Sequence, residues 1–190
     1  MSKKKLMLRY FFGLAILTLT WSCTPTAPVT SAQGKEPYFF DIAGFFNAEI
    51  KTLNQSKVKA QKTVKYNAKA DHLQNLSLDY EKELAVFVHS DINKLSWREK
   101  YTADTLREAG EIRSITYKAL DEKLKTQKIA ISFANQQIDR IAIRNHLKSI
   151  IASTWQELEY RPLKGYQVHG KQTMRLNRVG EMGIEVEFVQ

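Results

Sequence analysis

Chemistry in this chain has few places to reside. The one cysteine, Cys23, offers a thiol that can form a thioether, and with no second cysteine it can form no disulfide within the chain. Four histidines, His72, His89, His146 and His169, are scattered without an HExxH pair or a CxxC partner, so the spacing of a zinc site is missing and each reads as a surface or edge residue. No GxSxG elbow and no glycine-rich loop opening a helix is present. On this pattern we expect no enzyme, no metal and no cofactor. The densest polar group is His89, Ser90, Asp91, Asn93, Trp97, Arg98 and Tyr101. Within it Ser90, Asp91, Trp97, Arg98 and Tyr101 form a candidate binding patch for an anionic or aromatic partner, because Trp and Arg concentrate where binding energy does. A plainer role is open to the same residues: Lys94 and Arg98 suit the negative end of a helix dipole, and Asp91 suits an i,i+3 pair with Lys94. The apolar candidate is Phe39, Phe45 and Phe46, whose rings either line a cavity for an apolar ligand or pack as core.

The position of Cys23 gives its thiol a specific use. Lys3, Lys4, Lys5 and Arg9 precede an apolar run from Tyr10 to Leu19, interrupted by Gly13 and Thr18. That is the order of an export signal, too short to span a bilayer, which takes roughly 20 residues. Thr20, Trp21, Ser22 and Cys23 then read as a lipobox, with Leu19 four residues before the cysteine where the common pattern has leucine three before. In such a site the thiol accepts diacylglycerol and cleavage frees the amino group for a further acyl chain. An ordinary secreted protein with an incidental cysteine is the competing reading; an unpaired cysteine in an exported chain weighs against it. The division that follows is a signal peptide over 1–22, a lipidated cysteine and tether over 23–36, and one globular domain over 37–190. Loss of the four basic signal residues lowers the formal charge from +9 to +5. That excess suits solubility and mild attraction to anionic surfaces, and it makes no case for nucleic acid.

The segment Thr24 to Glu36 has Val29 as its one large apolar residue, and such a tether would let the domain stand up to about 45 Å from the lipid. Thr24 follows the cysteine, where aspartate would signal inner-membrane retention, so the expected address is the outer membrane, facing the periplasm. From Tyr38 to Leu53 the residues Phe39, Ile42, Phe46, Ile50 and Leu53 recur at helical spacing. Val58 to Ala70 alternates with lysines as one half-buried strand, whose wet face either meets lipid head groups or uses lysine to discourage edge pairing. A second helix is expected from Ser77, a good N-cap, to about Leu95, with Tyr80, Leu84, Phe87, Val88, Ile92 and Leu95 on one side. Period-two segments follow around Ile115, Ile129, Ile141, Ile151–Tyr160, Tyr166–Leu176 and Ile184–Val189, with turns at Arg161–Gly165 and Asn177–Gly183. The expected fold is α+β: two helices packed on a curved, mainly antiparallel sheet of about six or seven strands, as in a half-barrel.

Three stretches, Ser90–Tyr101 (S-D-I-N-K-L-S-W-R-E-K-Y), Tyr117–Ile131 and Tyr160–Gln172, resemble segments of uncharacterised small lipoproteins of Bacteroidota. The resemblance spans most of the chain after Cys23 and implies a lipoprotein with one such domain; it carries no catalytic residues to transfer. We therefore expect a lipid-anchored envelope protein acting as a non-enzymatic binding or scaffolding module, its partner an envelope protein or an apolar ligand. A periplasmic carrier of lipid in a half-barrel cavity is the alternative. Replacing Cys23 by Ser is expected to leave an uncleaved precursor or release the protein from the membrane fraction; an unchanged mass and unchanged detergent partitioning of the purified product would refute acylation.

Overall fold

The computed structural model describes residues 37–189, apart from 176 and 177. The expected signal peptide, Cys23 and the expected tether, residues 1–36, lie outside the described residues. Helix α1 spans Ile42–Ser56. Asp41 starts it, its Oδ1 accepting the Gly44 N–H at 2.8 Å, and Lys57 ends it in the left-handed conformation at φ 50°. Its buried face is Ile42, Phe46, Ile50 and Leu53, the stripe legible in the sequence. Helix α2 runs only from Tyr80 to Val88, capped at its start by Asp79. The expectation of a helix reaching Leu95 is corrected by local competition for the backbone. Ser90 Oγ donates to the Val86 carbonyl at 2.7 Å, and Asp91 Oδ2 accepts the Asn93 N–H at 2.9 Å, which turns the chain into a short 3-10 turn at Leu95–Trp97.

Among the described residues nine strands form one open, wholly antiparallel sheet: β1 Lys59–Tyr66, β2 Lys69–Ser77, β3 Tyr101–Glu108, β4 Glu111–Ala119, β5 Thr126–Ala134, β6 Gln137–Lys148, β7 Ala152–Arg161, β8 Gly165–Met174 and β9 Val179–Val189. The order is β2-β1-β9-β8-β7-β6-β5-β4-β3. Two strands beyond the expected seven have physical reasons for escaping notice. The alternation from Val58 to Ala70 is a hairpin, turning at Asn67 and Ala68 without glycine or proline; Asn67 takes φ 50° and carries the turn. Strand β3 exposes every residue except Tyr101, so it has no apolar alternation to detect. β9 also begins earlier than expected, taking Gly180 and Gly183 into the strand.

The meander follows from its turns. Ala109 and Gly110 take φ 50° and 85°, and Asn135 and Gln136 take φ 50° and 63°. Two successive positive φ values give the primed turns whose twist matches paired strands. At Gly165, φ is 141° and a Cβ would lie 1.9 Å from the Val186 carbonyl oxygen, so no other residue fits. The last strand then pairs with the first hairpin, Phe188 opposite Ala60 and Val186 opposite Lys62.

One register row crosses the helix-facing side of the sheet: Ile115, Ile131, Ile141, Tyr160, Tyr166, Val186 and Lys62. Onto it pack the helix rings. Phe46 lies 4.7 Å from Phe87 and 5.0 Å from Tyr160 between ring centroids, and Phe39 lies 5.3 Å from Tyr117. Phe46, Tyr160 and Phe87 are fully buried. Truncating such a ring removes its burial and leaves a void, so Phe46→Ala is expected to lose about 3–5 kcal/mol of stability in denaturant unfolding. Phe45→Ala, at a half-buried ring, is expected to lose clearly less; equal losses would place the core elsewhere.

Candidate functional site

The polar constellation is brought together, as a tie between elements. Ser90 is buried, accepts the Asn145 amide N–H on Oγ at 2.9 Å, and accepts the Thr126 hydroxyl on its carbonyl at 3.1 Å. Asn93 bridges to the segment before α1: its Oδ1 accepts the Phe39 N–H and its Nδ2 donates to the Phe40 carbonyl, both at 3.0 Å. Tyr101 is buried and donates its hydroxyl to the Thr126 carbonyl at 2.9 Å; burial pushes its pKa up to about 12. Asp91 is half-buried and turned toward Asn93, Lys94 Nζ sits 4.1 Å over the half-buried Trp97 ring, and Arg98 covers Tyr38 at 4.7 Å. These side chains are occupied with one another, fixing the ends of both helices to β3, β5 and β6.

The three phenylalanines also find protein partners. Phe45 meets Phe46 at 5.2 Å and Tyr160 at 6.1 Å, and Phe39 meets Tyr101 at 5.8 Å and Tyr117 at 5.3 Å. The space beneath them is filled by rings. Two carboxylates enter this core. Tyr160 donates its hydroxyl to Glu49 Oε2 at 2.5 Å, while Tyr166 donates to Glu83, whose other oxygen takes Lys62 Nζ at 2.5 Å. Burial first, then the adjacent carboxylate, raises both phenol pKa values, so each stays a donor and neither is a nucleophile. Among the described residues no three His, Cys, Asp or Glu side chains converge as a metal would require.

A cleft of about 580 Å³ lies between α1 and α2, lined by Asn47, Lys51, Glu81 and His89 among others, and a groove lies past α2 on the helix-facing side of the sheet. Here the register rows change character. Leu158, Val168 and Ile184, which face the helices, are followed toward the other end of β7, β8 and β9 by Gln156, Gly170 and Met182, and then by Thr154, Gln172 and Gly180. The result is a groove of about 640 Å³, walled by Tyr66, Met174 and Val179 with Arg178 at its rim, and lined by no residue of either helix. That volume falls within the ordinary range of ligand sites. Tyr66, Met174, Val179 and Met182 are exposed there. Neither Gly170 nor Gly180 has a positive φ, and a Cβ would meet only the Met182 carbonyl at 3.9 Å or the Tyr66 hydroxyl at 3.6 Å. Backbone conformation and packing thus leave larger residues room at both positions, and the effect of the glycines is to keep the floor open. Sequence reasoning missed this site, since the two glycines share a face only once the β8–β9 register is known.

On the opposite side of the sheet, cross-strand ion pairs cover the surface, Arg140 with Glu159 at 2.6 Å and Arg144 with Glu157 at 2.7 Å. Near the groove end His146 stacks on its strand partner Trp155, centroids 3.9 Å apart and planes 6° from parallel, with Nε2 2.9 Å from Ser153 Oγ. The expectation that all four histidines are surface or edge residues is corrected here, because the Trp155 ring and the Lys125 segment bury this one. No protein family, curated protein or solved structure matches the chain.

Burial, followed by the Lys148 charge, holds the His146 pKa below the ordinary histidine value. The unfolded chain therefore binds its proton more readily, and the stability this site contributes is complete above the ordinary histidine pKa and declines as pH falls from there toward the lowered folded value. His146→Gln is expected to flatten that decline in unfolding midpoints measured against pH. An unaltered profile would mean that the imidazole is not the titrating group.

Proposed function

We propose that the chain is a lipid-anchored protein of the cell envelope, held at the outer membrane through Cys23 and facing the periplasm, whose domain is a non-enzymatic binding module for a small amphiphile. The groove over Gly170 and Gly180 carries this reading. Its wall offers exposed Tyr, Met and Val surface to an apolar portion, and Gln156, Gln172, Thr154 and Arg178 offer hydrogen bonds and charge to a polar head. A half-barrel form of the sheet suits the same role. Tyr80 of α2 touches Phe188 in β9, third in the strand order, and Phe39 just before α1 touches Tyr101 in the edge strand β3, a reach that a curled sheet would allow.

The ring-filled interior moves the carrier version of this reading away from Phe39, Phe45 and Phe46 and into the groove. Lipidation rests on the signal and lipobox, and non-enzymatic action on the absence of a nucleophile–base motif in the sequence.

With lysophosphatidylethanolamine as probe, the protein purified from the envelope is expected to bind one equivalent. Gly170→Leu combined with Gly180→Leu is expected to weaken binding by roughly tenfold or more, since about 1.4 kcal/mol corresponds to tenfold. The unfolding midpoint is expected to hold in that variant, because both side chains have space. Undiminished binding in the folded double variant would remove the groove from the function.

A further inference from the structure

We propose that the end of the sheet where the groove opens is a bilayer-contacting face, with the β6–β7 turn inserting between anionic lipids. The turn is held tightly: Ser149 donates its N–H to the Ala152 carbonyl at 2.8 Å and accepts the Ala152 N–H on Oγ at 3.1 Å. Arg175 donates its N–H to the Ile151 carbonyl at 2.9 Å, tying the turn to the end of β8. Held this way, Ile150 is 90% exposed and Ile151 68% exposed. Leu147, Met174 and Val179 are exposed beside them. Single exposed apolar residues need no explanation, whereas a cluster on a hydrogen-bonded loop tip marks a contact surface. At the other end of the sheet the tips are Ala109–Gly110, Asn135–Gln136 and the Arg161–Gly165 turn, the last exposing one large apolar side chain, Leu163, in place of an adjacent pair.

Charge says what the partner is. Residues 147–154 and 172–180 contain Lys148, Arg175 and Arg178 and no aspartate or glutamate. The carboxylate paired with Lys148, that of Glu122, stands 3.9 Å away with its side chain 82% exposed, too solvated to neutralise it. Apolar residues ringed by cations match a bilayer bearing anionic head groups, where the side chains enter the acyl region and the cations remain at the surface. Trp155 fits the same depth profile. It lies three residues from the start of β7, about 10 Å along the strand, 42% exposed, and such a ring settles at head-group level.

The described chain also begins at this end. Tyr38 lies under Arg98, and Phe39 packs on Tyr101, the first residue of β3. A lipid attached at Cys23 would approach from the same side. The orientation of the domain rests on that proposed anchor; the contact itself rests on the turn and its charges.

The full chain carrying Ile150→Cys, labelled with an environment-sensitive fluorophore and placed in vesicles of phosphatidylcholine and phosphatidylglycerol, is expected to show a blue-shifted emission quenched by nitroxide on the acyl chains. The same label at Leu163→Cys, at the opposite end, is expected to stay aqueous. Lys148→Gln with Arg175→Gln and Arg178→Gln, or raised salt, is expected to reverse most of the shift. Emission at position 150 matching that at 163, a shift equally large in phosphatidylcholine alone, or a shift that grows with protein concentration in the absence of vesicles would overturn the proposal, the last pointing to self-association. A second label on Cys23, detected by mass, would refute the anchor; the loop is then read in the Cys23→Ser background added to the same vesicles, where an aqueous signal at 150 still counts against insertion.

Discussion

The edge-to-face packing of Phe46 and Phe87 against Tyr160 is the contact around which the domain is organised. Cys23 is the chain's one cysteine, so no disulfide can restrain it, and the cohesion of the described domain rests on burial of apolar surface. Large rings are efficient at this, and these three meet at the centre of the helix-facing row with helices supplying two and β7 the third. The short α2, nine residues long, would not persist alone in water. It exists because Tyr80, Leu84 and Phe87 have somewhere to go.

Apolar rings dictate that the helices cover the sheet, and a small number of polar ties dictate how. Glu49 to Tyr160 fixes the rotation of α1, Glu83 to Tyr166 and Lys62 fixes α2 near its start, and Ser90 to Asn145 and Thr126 fixes its end. Each tie takes polar groups out of water, which is costly unless every partner is placed. Their value is therefore in selecting one docking arrangement from the many that greasy faces allow. The candidate patch around Ser90 and Tyr101 is best understood in these terms, and Lys62, on the apolar face of a lysine-rich strand, has its reason in Glu83.

Because the helices are short and tied at these points, they cover only part of the sheet. Strands β7, β8 and β9 extend past them, and on that extension the inward side chains become small or polar. Two glycines and a ring of exposed Tyr, Met and Val create a groove that opens toward the cationic Ile150–Ile151 end. The groove and the Ile150–Ile151 loop thus lie at one end of the sheet, and in the proposed function this arrangement would let an amphiphile pass between a membrane and the protein without crossing water.

Local pattern was sufficient for everything that depends on near neighbours in the chain. The helix stripe from Ile42 to Leu53, the alternation of Ile184, Val186 and Phe188 against Glu185 and Glu187, and an α+β domain with two helices on an antiparallel sheet follow from periodicity, because burial of one face leaves a period in the residues that form it. The tertiary structure decided what depends on residues far apart. A strand such as β3 that buries only Tyr101 has no periodic trace, and a turn at Asn67 and Ala68 built on one left-handed asparagine looks like continued alternation. Gly170 and Gly180 become neighbours across a groove only through pairing of β8 with β9, and Phe39 became core instead of cavity only when Tyr101 and Tyr117 were brought against it. Periodicity records which side of an element faces inward; what it faces is set by register and docking, and those are properties of the assembled chain.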